Sequence, residues 1–294
     1  MPKIIVVNDR LVSRTMLPRS ISSRKGENGI MLVVGASNLY HGAPLLSSMA
    51  GLRSGIDLVY TAVPQRNVVA LRSYSPNIIV IPFPHDSLGV TSAKEILRVL
   101  PKKPDAAAIG MGLHIAEIKG LSHLINELKG MRTKLLLDAS ALIPDVLNHI
   151  SGTNSIITPH LGEFKRVFSM ESSIQSLGQN ANLKILKSAV VDMAEKYGIT
   201  IILKGEYNVI ASAGNVSVIK RSTPAMTVGG TGDVLSGLVA GLLTKLDPFY
   251  ASITGIYING LAALQGSKRL GLHLVASDLI DNLPYVMKKF DKTR

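Results

Sequence analysis

An α/β fold with a mostly parallel sheet covered by helices on both faces is predicted for this 294-residue chain, and three observations predict it. Short β-branched apolar runs alternate with amphipathic helical patterns over the first two thirds of the sequence. Several of those runs are apolar without a break, as strands covered on both faces must be. After Leu203 the alternation gives way to two adjoining strand patterns around Gly214, an antiparallel hairpin appended late.

In order, the strand patterns are Ile30 to Val34, Asp57 to Val63, Asn77 to Ile81, Ala106 to Ile109, Lys134 to Leu137, Ser155 to Ile157 and Thr200 to Leu203. The helices between them are expected at Pro44 to Arg53, Ser92 to Leu100, Leu121 to Lys129, Gly162 to Phe168 and Ile185 to Tyr197. Pro44 suits a first helical position, and Ser92 with Glu95 has the spacing of a capping box. The hairpin strands are Tyr207 to Ala213 and Asn215 to Lys220; helices follow at Asp233 to Leu246, Tyr250 to Gln265 and Asp278 to Lys289. With no linker, repeat or low-complexity block, residues 1–294 read as a single domain. Residues 1–24 have no assigned role beyond wrapping the sheet or meeting another subunit.

Composition narrows the function. Apolar residues are 46% and charged residues 18%, which supports a large core and excludes global disorder. The apolar stretches are too short to span a membrane, and the N-terminus lacks a signal-peptide pattern, so a cytoplasmic, membrane-free protein is expected. No cysteine is present, which removes disulfides, thiolate metal sites and cysteine nucleophiles. The net charge of +12 suits an anionic ligand, but Lys and Arg are scattered and aromatics are 4%, so specific nucleic-acid binding is not expected.

The chemistry-bearing residues fall at the ends of predicted strands, where open parallel sheets bind ligands. The strongest is Gly229-Gly230-Thr231-Gly232-Asp233-Val234-Leu235: glycines that admit an anion, then a helix whose N-H groups receive it, with a carboxylate at its mouth. A tight turn capped by Asp233 is the plainer reading of these residues taken alone. Gly35-Ala36-Ser37, Gly42-Ala43-Pro44 and Gly110-Met111-Gly112 offer close backbone approach. Thr158-Pro159-His160-Leu161-Gly162-Glu163 sets an imidazole and a carboxylate at one helix end, for a ligand or merely as caps. Lys204-Gly205 offers a cation to a phosphate, although a surface Lys is the commoner case. No Walker loop, zinc cluster or serine elbow occurs.

Together, in this order, these motifs resemble the ADP- or ATP-dependent NAD(P)H-hydrate dehydratases of the ribokinase-like superfamily, over about Arg24 to Leu279. The resemblance implies a ribokinase-like three-layer sandwich without the partner epimerase domain. It also implies nucleotide-dependent dehydration of NADHX or NADPHX, for metabolite repair. A hydroxide leaves poorly; once phosphorylated it leaves as phosphate, with AMP as the other product when ADP is the donor. By matching motif positions, Ala43, Gly112, His160 and Asp233 would contact the hydrated cofactor, with Asp233 the catalytic base. Lys204, Gly205, Asn208, Gly230, Thr231 and Gly232 would hold the adenine nucleotide, and Glu163 would organise Mg²⁺ through water. A homo-oligomer, often a tetramer, is also implied. The chain departs from the family pattern at Ser140, Asn208, Asn259 and the stretch Thr223 to Val228. A small-molecule kinase of the same fold and a nonenzymatic nucleotide- or nucleic-acid-binding protein are the alternatives.

Overall fold

The computed structural model describes residues 2–178 and 181–294. Its elements begin with β1 (Lys3–Ile4), α1 (Asp9–Thr15), β2 (Ile30–Val34), α2 (Gly42–Arg53), β3 (Leu58–Pro64), α3 (Val68–Tyr74), β4 (Ile79–Phe83) and α4 (Val90–Val99). Next come β5 (Ala106–Ile109), α5 (Ile118–Gly130), β6 (Lys134–Leu137), α6 (Leu147–Ile150), β7 (Ile156–Ile157), α7 (Leu161–Val167), α8 (Ser172–Gln175) and α9 (Leu183–Tyr197). The chain closes with β8 (Thr200–Leu203), β9 (Tyr207–Ser212), β10 (Asn215–Lys220), α10 (Thr231–Leu243), α11 (Pro248–Leu270) and α12 (Ala276–Met287).

Among the described residues ten strands form one sheet in the order β1-β10-β9-β8-β7-β6-β5-β2-β3-β4. Pairing is parallel from β4 across to β8, antiparallel on both sides of β9, and parallel again between β10 and β1. Every expected strand is present, and the late hairpin is the pair β9 and β10.

The period of two along a strand divides the core. In β2, Ile30, Leu32 and Val34 face a layer containing α4, α5, α7 and α9, while Met31 and Val33 face α2, α10, α11 and α12. Both faces are covered, which explains why the strand sequences are apolar throughout. Helix α10 lies deepest: every residue from Val234 to Leu243 is buried. It packs against α2 at van der Waals limits. A Cβ on Gly237 would sit 2.0 Å from the Ser47 carbonyl oxygen, and one on Gly241 would sit 2.1 Å from Ser54 Oγ. Ser47 Oγ also donates to the Asp233 backbone carbonyl at 2.8 Å.

Several local expectations are corrected. The capping box assigned to Ser92 and Glu95 does not form: α4 starts at Val90, and Ser92 is buried one turn in, where its hydroxyl lies within bonding reach of the Pro84 and Ser87 carbonyls. Glu95 instead pairs with Arg98. Helix α2 starts at Gly42, so Pro44 is its third residue, still within the turn that needs no intrahelical N-H donor. Helix α3 and the short α1, α6 and α8 carried too little periodicity to be seen in the sequence.

Residues 2–24 wrap the molecule. Strand β1 extends the sheet at β10, α1 lies on α11, and Arg19 pairs with Asp57 at 2.7 Å. Asp57 also accepts from the backbone N-H groups of Gly26 and Asn28. Burial pushes its carboxyl pKa up, but those hydrogen bonds and Arg19 outweigh it and hold the group below its ordinary value.

Candidate active site

The carboxyl ends of the central strands converge on the N-terminus of α10. Gly230 is the residue before that helix and takes a left-handed conformation (φ +90°), where a Cβ would strike Leu46 Cδ1 at 2.7 Å. Gly229 and Gly232 face open space, apart from the Lys204 ammonium 3.6 Å from where a Gly232 Cβ would lie. The Thr231 hydroxyl is within 3.0 Å of both the Met226 and Val228 carbonyl oxygens, which braces the glycine turn. Among the described residues no side chain caps α10, so its first N-H groups are left for a ligand.

Asp233 is the third residue of α10 and is half-buried. It makes no side-chain hydrogen bond among the described residues, so the plainer reading of a capping aspartate does not hold. Burial, with the Asp138 carboxylate adding to it and Lys204 opposing, pushes its carboxyl up to about 7. A helix N-terminus taken alone favours the ionised form of a carboxyl. The structure reverses the balance, because desolvation and a like charge exceed a helix-end effect of about 0.3–1 kcal/mol.

Lys204 directly follows β8. A parallel bridge joins it to His160, the residue that caps α7, through the Lys204 N-H donated to the Pro159 carbonyl at 2.8 Å. Its ammonium is largely enclosed, with the side chain 22% exposed, and bonds Asp138 Oδ1 at 2.9 Å. Burial pulls the Lys204 pKa down, but Asp138, Glu163 and Asp233 together outweigh that and hold it above its ordinary value. Lys204 is thus a charged group inside the site, not a surface lysine.

His160 and Glu163 form a capping box at the start of α7. Imidazole Nδ1 accepts from the Gly162 and Glu163 N-H groups at 3.0 and 3.2 Å, and Glu163 Oε2 accepts from the His160 N-H at 2.9 Å. Accepting at Nδ1 puts the ring hydrogen on Nε2. The His160 side chain is 61% exposed, so it caps the helix and still faces solvent.

Ala43 and Gly112 are brought together across α2 and the β5 end. Gly112 has φ +65°, and a Cβ there would lie 3.1 Å from Ala43 Cβ and 2.7 Å from Tyr40 Cβ. Asn208 holds the Lys204-Gly205 turn: its Oδ1 accepts from the Gly205 N-H at 3.4 Å, and its Nδ2 donates to the Ile219 carbonyl.

A cavity of about 230 Å³ opens beside the glycine turn, and Lys204, Gly205, Asn208, Thr231 and Gly232 border it. Met226, Leu235 and Ile256 give it an apolar wall. Asn259, 2% exposed, also borders it, with an amide oxygen that has no partner among the described residues. A larger cavity of about 380 Å³ lies under the N-terminal segment near Arg19 and Thr244, away from every predicted site residue.

The sequence reading missed one participant. Asp138 is buried at the β6 end and accepts from Lys204, Ser236 and its own turn; a lone Asp directly after an apolar strand was its one signal in the sequence.

A mostly parallel sheet covered on both faces by helices, with a late antiparallel hairpin, is the ribokinase-like class of α/β fold. Within that class, residues 31–285 match the sequence model of the family described as NAD(P)H-hydrate dehydratase, and the chain belongs to that family. It is 48% identical over 96% of its length to an ADP-dependent (S)-NAD(P)H-hydrate dehydratase of Nitrosopumilus maritimus, covering 96% of that relative. Against one from Cenarchaeum symbiosum it is 47% identical over 93% of both chains. Bifunctional NAD(P)H-hydrate repair enzymes also match, and in the Pyrobaculum aerophilum example the chain covers 53% of the longer relative. Among solved structures, the ADP/ATP-dependent NAD(P)H-hydrate dehydratase of Bacillus subtilis superposes with a TM-score of 0.79 at 26% identity, covering 95% of this chain and 96% of that one.

Proposed function

We propose that this chain dehydrates the S-forms of NADHX and NADPHX with ADP, or ATP, as phosphoryl donor, regenerating NADH or NADPH. The observation that carries the reading is the juxtaposition of Asp233 with an open, uncapped α10 N-terminus and the Lys204 cation. In this reading Asp233 takes the proton of the ring hydroxyl as that oxygen attacks the terminal phosphorus of the nucleotide. The phosphoanhydride bond breaks and AMP leaves when ADP is the donor. The ring nitrogen lone pair then expels phosphate, the neighbouring carbon loses a proton, and the ring double bond is restored.

Each residue has a share in that sequence. N-H groups from Gly230 to Gly232 and the Lys204 ammonium face the charge that develops on the transferring oxygens. Gly205 and Asn208 shape the nucleotide side of the cavity, whose apolar wall suits a base. Ala43, Gly112 and His160, outside that cavity, would meet the hydrated cofactor. A base with a pKa of about 7 is matched to neutral pH, where general-base catalysis contributes on the order of 10²–10⁴-fold.

Mg²⁺ fits this arrangement through Glu163. One carboxylate oxygen is engaged as a cap, and the other would be the group that meets the water shell of the ion. That is the donor set of a Mg²⁺ that keeps its waters and arrives with phosphates. Bound there, the ion would neutralise phosphate charge.

A homo-oligomer, up to a tetramer, and a cytoplasmic setting complete the proposal. No described helix is long and apolar enough to cross a membrane. The structural likeness to a hydroxyethylthiazole kinase of Pyrococcus horikoshii, at TM-score 0.56 and 13% identity, speaks to fold alone and does not favour the kinase alternative. The test is incubation of the purified protein with NADHX and ADP or ATP while reduced-nicotinamide absorbance is followed. Recovery of absorbance with phosphate release is expected. No recovery with either nucleotide overturns the reading, and a stable phosphorylated alcohol would indicate a kinase.

A further inference from the structure

Asp138 is 3% exposed by its side chain, and a charge so enclosed persists only if it is paired and fully bonded. Three donors meet it. Oδ1 accepts from the Ala139 N-H at 2.8 Å and from Lys204 Nζ at 2.9 Å, and Oδ2 accepts from Ser236 Oγ at 2.6 Å. These donors come from three places: its own turn after β6, the end of β8, and α10.

Two of them lead directly to the reacting centre. Lys204 Nζ stands over Gly232 in the first turn of α10, and Ser236 lies three residues after Asp233 on the same helix, hence on a neighbouring face. Thr158 Oγ1, at the β7 end, is 3.4 Å from Ser236 Oγ and backs the hydroxyl. The carboxylate therefore ties the cation and the base-bearing helix to the rigid centre of the sheet. We propose that Asp138 is a positioning residue for the dehydration: it clamps the Lys204 ammonium over the α10 N-terminus and, bonded to Ser236 one helical turn from Asp233, fixes a second carboxylate beside the base. The inference rests on Asp233 being that base.

The charges around Asp233 make the sign of the effect definite. Asp138 repels a charge on Asp233, while Lys204 attracts one. Glu163, from the first turn of α7, acts on Lys204. Helices α2 and α12 also flank α10; they bring His41 at the α2 N-terminus and Asp278, whose carboxylate is engaged by the Val275 N-H. Removing the Asp138 charge takes away the repulsion and frees Lys204 to approach Asp233. Both changes favour the ionised base.

The test is the pH dependence of kcat/KM for the full-length protein and its Asp138→Asn variant, with KM for ADP measured beside it. The acid limb of the variant is expected to move down by about one pH unit, with a several-fold higher KM for ADP. An acid limb that stays at the wild-type pH overturns the proposal, whatever KM does. Should Asp138→Asn fail to fold, Ser236→Ala decides: it keeps the charge but removes one donor, and KM for ADP equal to that of the wild type overturns the clamp. Asp233→Asn separates the two readings. If it turns over normally, the base assignment fails; if it is inactive and the Asp138→Asn limb is unmoved, only the positioning role fails.

Discussion

Asp233 carries two opposed demands, and both can be measured. A carboxyl near pKa 7 accepts protons in the folded chain between about pH 4 and 7, where the unfolded chain has already released them. Stability contributed by this group is therefore highest in acid and falls as pH rises to about 7. Asp233→Asn should be more stable than wild type at pH 8, by on the order of 1–2 kcal/mol at about 1.4 kcal/mol per pKa unit after allowance for partial exposure; urea midpoints read it. The same variant should lose turnover by about 10²-fold or more while keeping ADP affinity by calorimetry. Equal stability and equal turnover would contradict both the buried charge and the base. Its residue type and place in the motif were legible in the sequence. Its proton affinity was not, because that depends on burial and then on Asp138, which lies 95 residues away and comes near only when β6 and α10 meet.

Helices show the same division at the next scale. The start of α7 is a capping box, so His160 has a structural task besides its proposed substrate contact. His160→Ala should cost about 1 kcal/mol by denaturant unfolding, and His160→Asn should recover most of it, since Asn is a strong cap. Neither should restore the wild-type KM for the hydrated cofactor; a full KM recovery in His160→Asn would remove the substrate role. Between α2 and α10 the contact is set by glycine. Gly237→Ala places a methyl against the Ser47 backbone, and a loss of about 1–3 kcal/mol is expected from overpacking a helix crossing that also seats Asp233. Wild-type thermal stability for this variant would show that α2 yields freely. Periodicity announced α10 and α11, whose apolar runs are long. It misassigned Ser92 because a serine with a glutamate three residues on is also what a buried hydroxyl bonding to the preceding loop looks like.

The whole molecule is a sheet whose N-terminal segment extends one edge through β1 and reaches the start of β3 through Arg19. Asp57 anchors that segment through Arg19 and the turn at residues 26–28, and it sits near the β2 and β3 starts, opposite the proposed active site. Asp57→Ala should destabilise the fold by about 2–4 kcal/mol and leave KM for ADP unchanged; a shifted KM with intact stability would place its influence at the site instead. The hydrogen-bonded Asp57 carboxyl lies below its ordinary pKa, so its contribution is present at neutral pH and is lost as pH falls through the acid range. What the sequence determined by itself was local: the apolar strands, the helices that cover them, the late hairpin and the glycine-flanked Asp233, all readable from spacing and chain chemistry. Tertiary structure alone decided that Lys204 is enclosed and paired, that Asp138 is the carboxylate bonded to it, that residues 2–24 clasp the sheet, and that burial and Asp138 push the Asp233 carboxyl up. Those outcomes depend on burial and on charges distant in sequence, which no periodicity records and which act only once the strand ends share one low-dielectric edge.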